Sequence, residues 1–216
     1  MPADARSAPF LAFDTSAAHC AAALILPDGG SLLRHEDMQR GQAERLFPLI
    51  KEMMDEAGLD WTDLGGLAVG TGPGNFTGIR IAVSAARGLA LGLDVAAIGV
   101  TLFEALAHGL PRPLRVMQDA RRGLIYLQDF LADEALPARL VRMDEVGVFA
   151  GAVTGTAALV AGQVSLAPAM PLVAAIAEIG IGRLRSGAGL PRPAPFYLRA
   201  ADALPPADPP PLILDA

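Results

Sequence analysis

The chain has 216 residues, of which 52% are hydrophobic, 19% charged and 5% aromatic. This composition excludes a disordered chain and leaves one large domain or two small lobes, with a core built from Ala, Leu, Val and Ile. The net charge of −6, the single lysine Lys51 and the scattered arginines exclude a basic stripe, so any contact with nucleic acid is expected to be shared with a partner.

Residues 10–15 predict a first strand ending in a polar turn, and residues 19–26 a second. Pro27-Asp28-Gly29-Gly30 supplies a turn, after which residues 31–38 return as a third strand. Residues 42–57 place Ala43, Leu46, Phe47, Ile50, Met53, Met54 and Ala57 three and four apart, the apolar face of a helix that Gly58 ends. Pro48 predicts a kink there, or a later start. Residues 67–71 form a short apolar strand. A glycine-rich segment, Gly72 to Gly78, leads into an Ala-rich helix over 77–92 that has no charge after Arg87. A strand over 95–100 and a helix over 101–108 follow.

Pro111-Arg112-Pro113 marks a boundary between a first lobe, 1–110, and a smaller second lobe, 111–200. The second lobe opens like the first, with strand 114–118, the turn Asp119-Ala120-Arg121-Arg122-Gly123 and strand 124–131. Short strands are predicted near 139–142 and 157–160, and a helix near 172–185. Residues 201–216 read as an extended tail, with five prolines in 205–211. Strands alternating with helices in two successive lobes give an α/β fold with mixed sheets.

The densest signal is Gly72-Pro73-Gly74-Asn75-Phe76-Thr77-Gly78, between a strand and a helix. Such a loop can cradle a phosphate against the helix N-terminus, or make a tight connection packed on a neighbour. Two absences favour the connection: no lysine follows it, and the glycine spacing is GxGxxxG rather than GxGxxG. Gly72, Gly74 and Thr77 remain the nucleotide candidates of this loop. Asp14-Thr15-Ser16 is the second candidate. A carboxylate and two hydroxyls at a strand end suit a hydrated Mg²⁺, and equally a turn in which they bond backbone amides; the turn is favoured.

No catalytic residue and no metal site is expected. His19, His35 and His108 show no helical ligand spacing, and the first two read as surface residues. Cys20 lies in an apolar stretch and reads as a buried, inert thiol; as the single cysteine it forms no internal disulfide. No signal peptide and no convincing membrane span is read, so a cytoplasmic location is expected.

Five segments carry a resemblance: Asp14-Thr15-Ser16, Gln42-Ala43-Glu44-Arg45-Leu46-Phe47-Pro48-Leu49-Ile50, Gly72 through Gly78 with Ile79-Arg80, Asp119-Ala120-Arg121-Arg122-Gly123, and Phe196-Tyr197-Leu198-Arg199. In this order they resemble the TsaB (YeaZ) family over about residues 9 to 200. Gln42 and Asn75 depart from the family, which often has His and Ser there. The resemblance implies a two-lobed actin-like fold of the ribonuclease H-like (ASKHA) class, and kinship with the catalytic TsaD subunit of threonylcarbamoyladenosine synthesis on tRNA. TsaD carries a metal-binding His-Met-Glu-Gly-His helix, and the matching stretch here is Leu102-Phe103-Glu104-Ala105-Leu106, with leucine at both ligand positions. Leucine offers no lone pair to a metal.

The implied role is a non-catalytic scaffold that binds TsaD through the two first-lobe helices, is joined by TsaE, and pairs with itself when alone. It would meet tRNA only through the complex. The resemblance implies no cofactor of its own and leaves room for ATP or ADP at the partner interface. The helix over 77–92 is apolar around most of its circumference, and the part not covering its own sheet suits an interface. The candidate interface residues are Leu46, Ile50, Met53 and Met54 on one helix, and Ile79, Val83, Ala86 and Ala90 on the other. The rival reading is a small actin-like ATP-dependent phosphotransferase or ATPase working at Asp14 and the glycine-rich loop. A metalloprotease is disfavoured by the two leucines.

Overall fold

The computed structural model describes residues 8–160, 164–187 and 190–199. The tail expected over 201–216 lies outside the described residues. The first sheet comprises β1 (Phe10–Asp14), β2 (His19–Ile25), β3 (Ser31–Asp37), β4 (Gly66–Gly70) and β5 (Ala96–Val100). Their order is β3-β2-β1-β4-β5. The first three are antiparallel neighbours, whereas β4 and β5 run parallel to β1. Helices α1 (Gln42–Glu56), α2 (Phe76–Leu93) and α3 (Leu102–Ala107) connect them. The second sheet repeats this order with one strand fewer: β6 (Leu114–Asp119), β7 (Leu124–Phe130), β8 (Arg139–Arg142) and β9 (Ala152–Thr154), arranged β8-β7-β6-β9. Two mixed sheets of the same topology, each flanked by helices, make the actin-like, ribonuclease H-like two-lobed fold.

Strand β1 is buried along its whole length because helices cover both faces of its sheet. Side chains alternate between those faces. Leu11 and Phe13 pack with Leu46, Ile50 and Met53 of α1 and Ala82 and Ala86 of α2. Phe10 and Ala12 pack on the opposite side with Val173, Ile176 and Ala177. These last belong to α5 (Leu172–Ser186), which follows the short helix α4 (Thr156–Val160). The described part of the second half is therefore not a separate contiguous lobe. The sheet changes near residue 110, but α5 returns to lie on β1, β2, β4 and β5. Arg183 on α5 fixes that return by bonding the Gly99 carbonyl at 2.6 Å and pairing with Glu104.

The helices begin and end where local chemistry requires. At the end of α1, Gly58 takes φ +66°, and the amides of Gly58 and Leu59 donate to the carbonyls of Asp55 and Met54. This is a Schellman closure, which satisfies carbonyls the helix leaves open. The later start expected from Pro48 does not occur, since α1 begins at Gln42. Pro48 is exposed, so solvent can serve the carbonyl that its missing N–H leaves behind. Arg45 holds α1 to the edge strand β3, contacting Glu36 and Glu52 at 2.6 Å each. Its guanidinium keeps both carboxyls below the usual glutamate range.

The strand expected over 157–160 is a helix, α4, and β9 precedes it. Gly155, at φ +103°, breaks the strand, and the Gln118 side chain accepts from the Thr156 amide at 2.8 Å to start the helix. An apolar run as short as Ala157-Ala158-Leu159-Val160 has no period that separates strand from helix. Among the described residues, α2 alone is long and apolar enough to cross a membrane. Its inner face, with Ile79, Ala82, Val83 and Ala86, is buried.

Candidate functional site

The two lobes face each other across a cleft of about 760 Å³. Its first-lobe wall includes Ser16, His19, Gly74, Asn75 and Phe76, and its second-lobe wall Gln118, Asp119, Arg121 and Tyr126. Leu102, Leu106, Leu172 and Phe196 contribute apolar lining.

The candidates Asp14, Thr15 and Ser16 meet the glycine-rich loop in backbone-to-backbone contact. Asp14 is 1% exposed and does not line the cleft. Its Oδ2 accepts from the Ser16 amide at 3.2 Å and the Ser16 hydroxyl at 3.0 Å, and lies 2.7 Å from His19 Nε2. A Cβ on Gly70 would come within 1.9 Å of its Oδ1. Oδ2 is thus fully engaged, whereas Oδ1 is buried with no hydrogen-bond partner among the described residues. Thr15 Oγ1 donates to the Gly78 carbonyl at 2.7 Å, and the Asn75 amide donates to the Ser16 carbonyl at 2.6 Å.

The glycines follow from that contact. A Cβ on Gly78 would lie 1.8 Å from the Thr15 carbonyl oxygen, and one on Gly74 would lie 2.3 Å from that of Ser16. Backbone is pressed on backbone, so these positions exclude any side chain. The N-terminus of α2 is already served, because Asn75 Oδ1 accepts from the amides of Thr77 at 3.0 Å and Gly78 at 3.3 Å. These contacts make the loop a tight connection packed on the turn after β1. Gly72 is buried beneath Ile79 and the Phe196 carbonyl, whereas Thr77 is exposed.

The remaining candidate groups divide similarly. His19 is drawn inward rather than lying on the surface: its side chain is 12% exposed, and its ring stands 4.9 Å from that of His35. Ser16 and His19 converge on the same Asp14 oxygen, so no hydroxyl is handed to an imidazole as a nucleophile–base pair requires. Burial pushes the Cys20 thiol up to about 11, which leaves it protonated at neutral pH. Leu102 and Leu106, at the positions of the metal-binding histidines in the resemblance, both line the cleft. His108 pairs instead with Glu178 at 2.8 Å. No cluster of three metal-ligating side chains occurs among the described residues.

The expected interface set needs correction. Leu46, Ile50, Met53, Met54, Ile79, Val83 and Ala86 are all buried in this chain's own core; only Ala90 retains exposure. Most of the periodic apolar residues cover the sheet, Ala43 and Phe47 being exposed exceptions, and a partner meets what is left over. Here that remainder is Phe47, 42% exposed, Leu91, 84% exposed, and the half-buried Ile81, Ala85, Leu89 and Ala90. Open space surrounds Gly88 and Gly92 on the same helix.

Segment 196–199, marked in the sequence only through the family resemblance, bridges the two lobes at the site. The Phe196 amide donates to the Thr71 carbonyl at 2.8 Å, Tyr197 stacks on Phe76, and Arg199 donates to the Ala120 carbonyl at 3.3 Å.

Residues 35–144 match the family described as TsaD, tRNA N6-adenosine threonylcarbamoyltransferase. The chain is 37% identical over 129 residues to the tRNA threonylcarbamoyladenosine biosynthesis protein TsaB of Escherichia coli, covering 57% of this chain and 55% of that protein. It is 32% identical over 122 residues to the TsaB protein of Bacillus subtilis, covering 54% and 52%. The chain thus spans about half the length of these curated relatives. The solved structure of YeaZ from Pseudomonas aeruginosa superposes with a TM-score of 0.74 at 27% identity, over 88% of this chain and 100% of that one. With half the chain matching the family and a YeaZ structure following both lobes, the protein belongs to the TsaD threonylcarbamoyltransferase family, in its TsaB (YeaZ) branch.

Proposed function

We propose that this chain is a non-catalytic scaffold subunit in the synthesis of N6-threonylcarbamoyladenosine on tRNA. It binds and activates a TsaD-type transferase and allows a TsaE-type ATPase to join. The observation that carries this reading is the chemistry of the cleft: Leu102 and Leu106 line it where the catalytic relative would place metal-binding histidines. The walled-in Asp14 and the self-capped α2 support a second part of the reading, that the chain uses no nucleotide of its own. ATP or ADP then belongs to the partners or to the interface with them. The reading also places the chain in the cytoplasm, where tRNA is modified.

Partner binding is assigned to the outward side of α1 and α2, around Phe47, Ala85, Leu89 and Leu91. An exposed apolar strip beside open glycines lets another helix approach closely. The same strip serves a second copy when the transferase is absent.

Two measurements test this. Modification of a tRNA transcript by the transferase, the ATPase and the enzyme that supplies the threonylcarbamoyl donor should collapse when this chain is left out. Unchanged yield would remove the scaffold role, and robust phosphoryl transfer by the isolated chain with ATP and Mg²⁺ would favour the phosphotransferase. For the interface, Leu91→Glu alters an exposed side chain and should weaken transferase binding at least about tenfold without shifting the melting temperature.

A further inference from the structure

At the mouth of the cleft three side chains form a layered group. The rings of Phe76 and Tyr197 stack at 5.0 Å with 27° between their planes. The Arg80 guanidinium lies 3.9 Å from the centroid of the Phe76 ring. Arg80 Nε also donates to the Tyr197 hydroxyl at 3.1 Å. Nothing in the core requires this group, since Arg80 is exposed and Tyr197 is 40% exposed. Phe76 and Tyr197 share the cleft lining with Arg121 and Arg199. Asp119 is the one carboxylate among the lining residues, and its Oδ1 accepts from the Arg121 amide at 2.7 Å.

The mouth is therefore rich in cations on a chain of net charge −6. Arginine and aromatic rings side by side suit one ligand chemistry in particular. A base that is not paired in a duplex stacks on an aromatic face, and the flanking phosphates pair with guanidinium groups. An acidic peptide would use the charges but leave the aromatic stack without purpose. A duplex would use the charges but keep its bases out of reach.

We propose that this mouth is the chain's own contact with RNA. It takes an unpaired nucleotide of the tRNA, with the base on the exposed ring of Tyr197 and the phosphates on Arg80 and Arg121. Phe76 backs Tyr197, and Arg80 orients it through the hydroxyl. The proposal rests on the tRNA-modification reading for the identity of the RNA, but not on the scaffold role.

The test measures binding of an unmodified tRNA transcript to the assembled complex as a function of salt. Arg80→Ala combined with Tyr197→Leu should weaken binding about tenfold. Arg121→Asn, which tolerates the positive φ at this position, should make the log–log salt dependence shallower by about one. Arg185→Ala, an exposed arginine on α5 away from the cleft, is the charge-matched control. Affinities and salt slopes equal to that control would overturn the proposal. So would unchanged RNA binding together with weakened transferase binding, which would assign the mouth to a protein. Should the double variant fold poorly, photocrosslinking of thiouridine-substituted tRNA to the wild-type complex decides. Crosslinks should map to the peptide holding Tyr197 or to the Arg121 turn, and crosslinks confined to other surfaces overturn the proposal. If leaving the chain out does not affect modification yet Arg80 and Tyr197 still govern RNA binding, the scaffold role fails and this contact stands.

Discussion

The two lobes carry the same turn in two states. Asp14 ends β1 and Asp119 ends β6, each leading into the second strand of its sheet. In the first lobe the glycine-rich loop presses on that turn and the carboxylate is sealed; in the second, Asp119 stays exposed. The equivalent loop after β9 is short. A Cβ on its Gly155 would lie 2.2 Å from the Met117 carbonyl oxygen, so it touches the strand but leaves the turn open. The helix caps differ in the same sense, α2 being capped by its own Asn75 and α4 by Gln118 of the neighbouring strand. One fold element can thus become part of the core or part of a binding surface, depending on whether a loop covers it.

Substitutions in the two lobes test this contrast. The largest gap is expected at glycine. Gly78→Ala drives a Cβ into the Thr15 carbonyl oxygen and should cost about 3 kcal/mol or more in urea unfolding. Gly123→Ala, at φ +73° with nothing nearby, should cost about 1–2 kcal/mol from its left-handed backbone alone. Equal costs would show that the first-lobe contact is looser than its geometry. Next come the aspartates. Asp14→Ala leaves two buried donors at Ser16 unpaired and should cost about 2–3 kcal/mol, whereas Asp119→Ala should change stability by less than about 0.5 kcal/mol. The smallest effect falls on the α2 cap. Asn75→Ala removes two amide contacts at a solvent-exposed position and should cost about 1 kcal/mol in the same measurement.

Much of the framework is legible in the sequence because short-range physics sets it. The alternation of lobes, α1 and the hairpin turn at Gly29 all follow from local apolar periods and turn chemistry. The candidate interface is hidden from the sequence for a related reason. Residues such as Met53 and Val83 stand out by their period, and most such residues cover the sheet. Phe47 shares the period of α1 yet stays exposed, and Leu91 lies off the buried stripe of α2, so the period alone does not separate the covering side from the outward one. The site was legible in pieces. Asp14 and the glycine-rich loop drew notice separately, but their mutual closure depends on a contact between Thr15 and Gly78, 63 positions apart. His19 reads as a surface residue in the sequence because only the Asp14 carboxylate explains its burial. Arg80 and Tyr197 are 117 positions apart, and only the return of the chain across the cleft after α5 brings them together.

That return has a mechanical consequence. Phe196 grips the first lobe at Thr71, and Arg199 grips the second at Ala120. The jaws are latched by a strap as well as joined by the connection near Pro113. Any rotation that widened them would break at least one of these two hydrogen bonds. Two-lobed enzymes open and close to admit substrate and release product. On the proposed scaffold role, a latched molecule forgoes that cycle and offers its neighbours a fixed template.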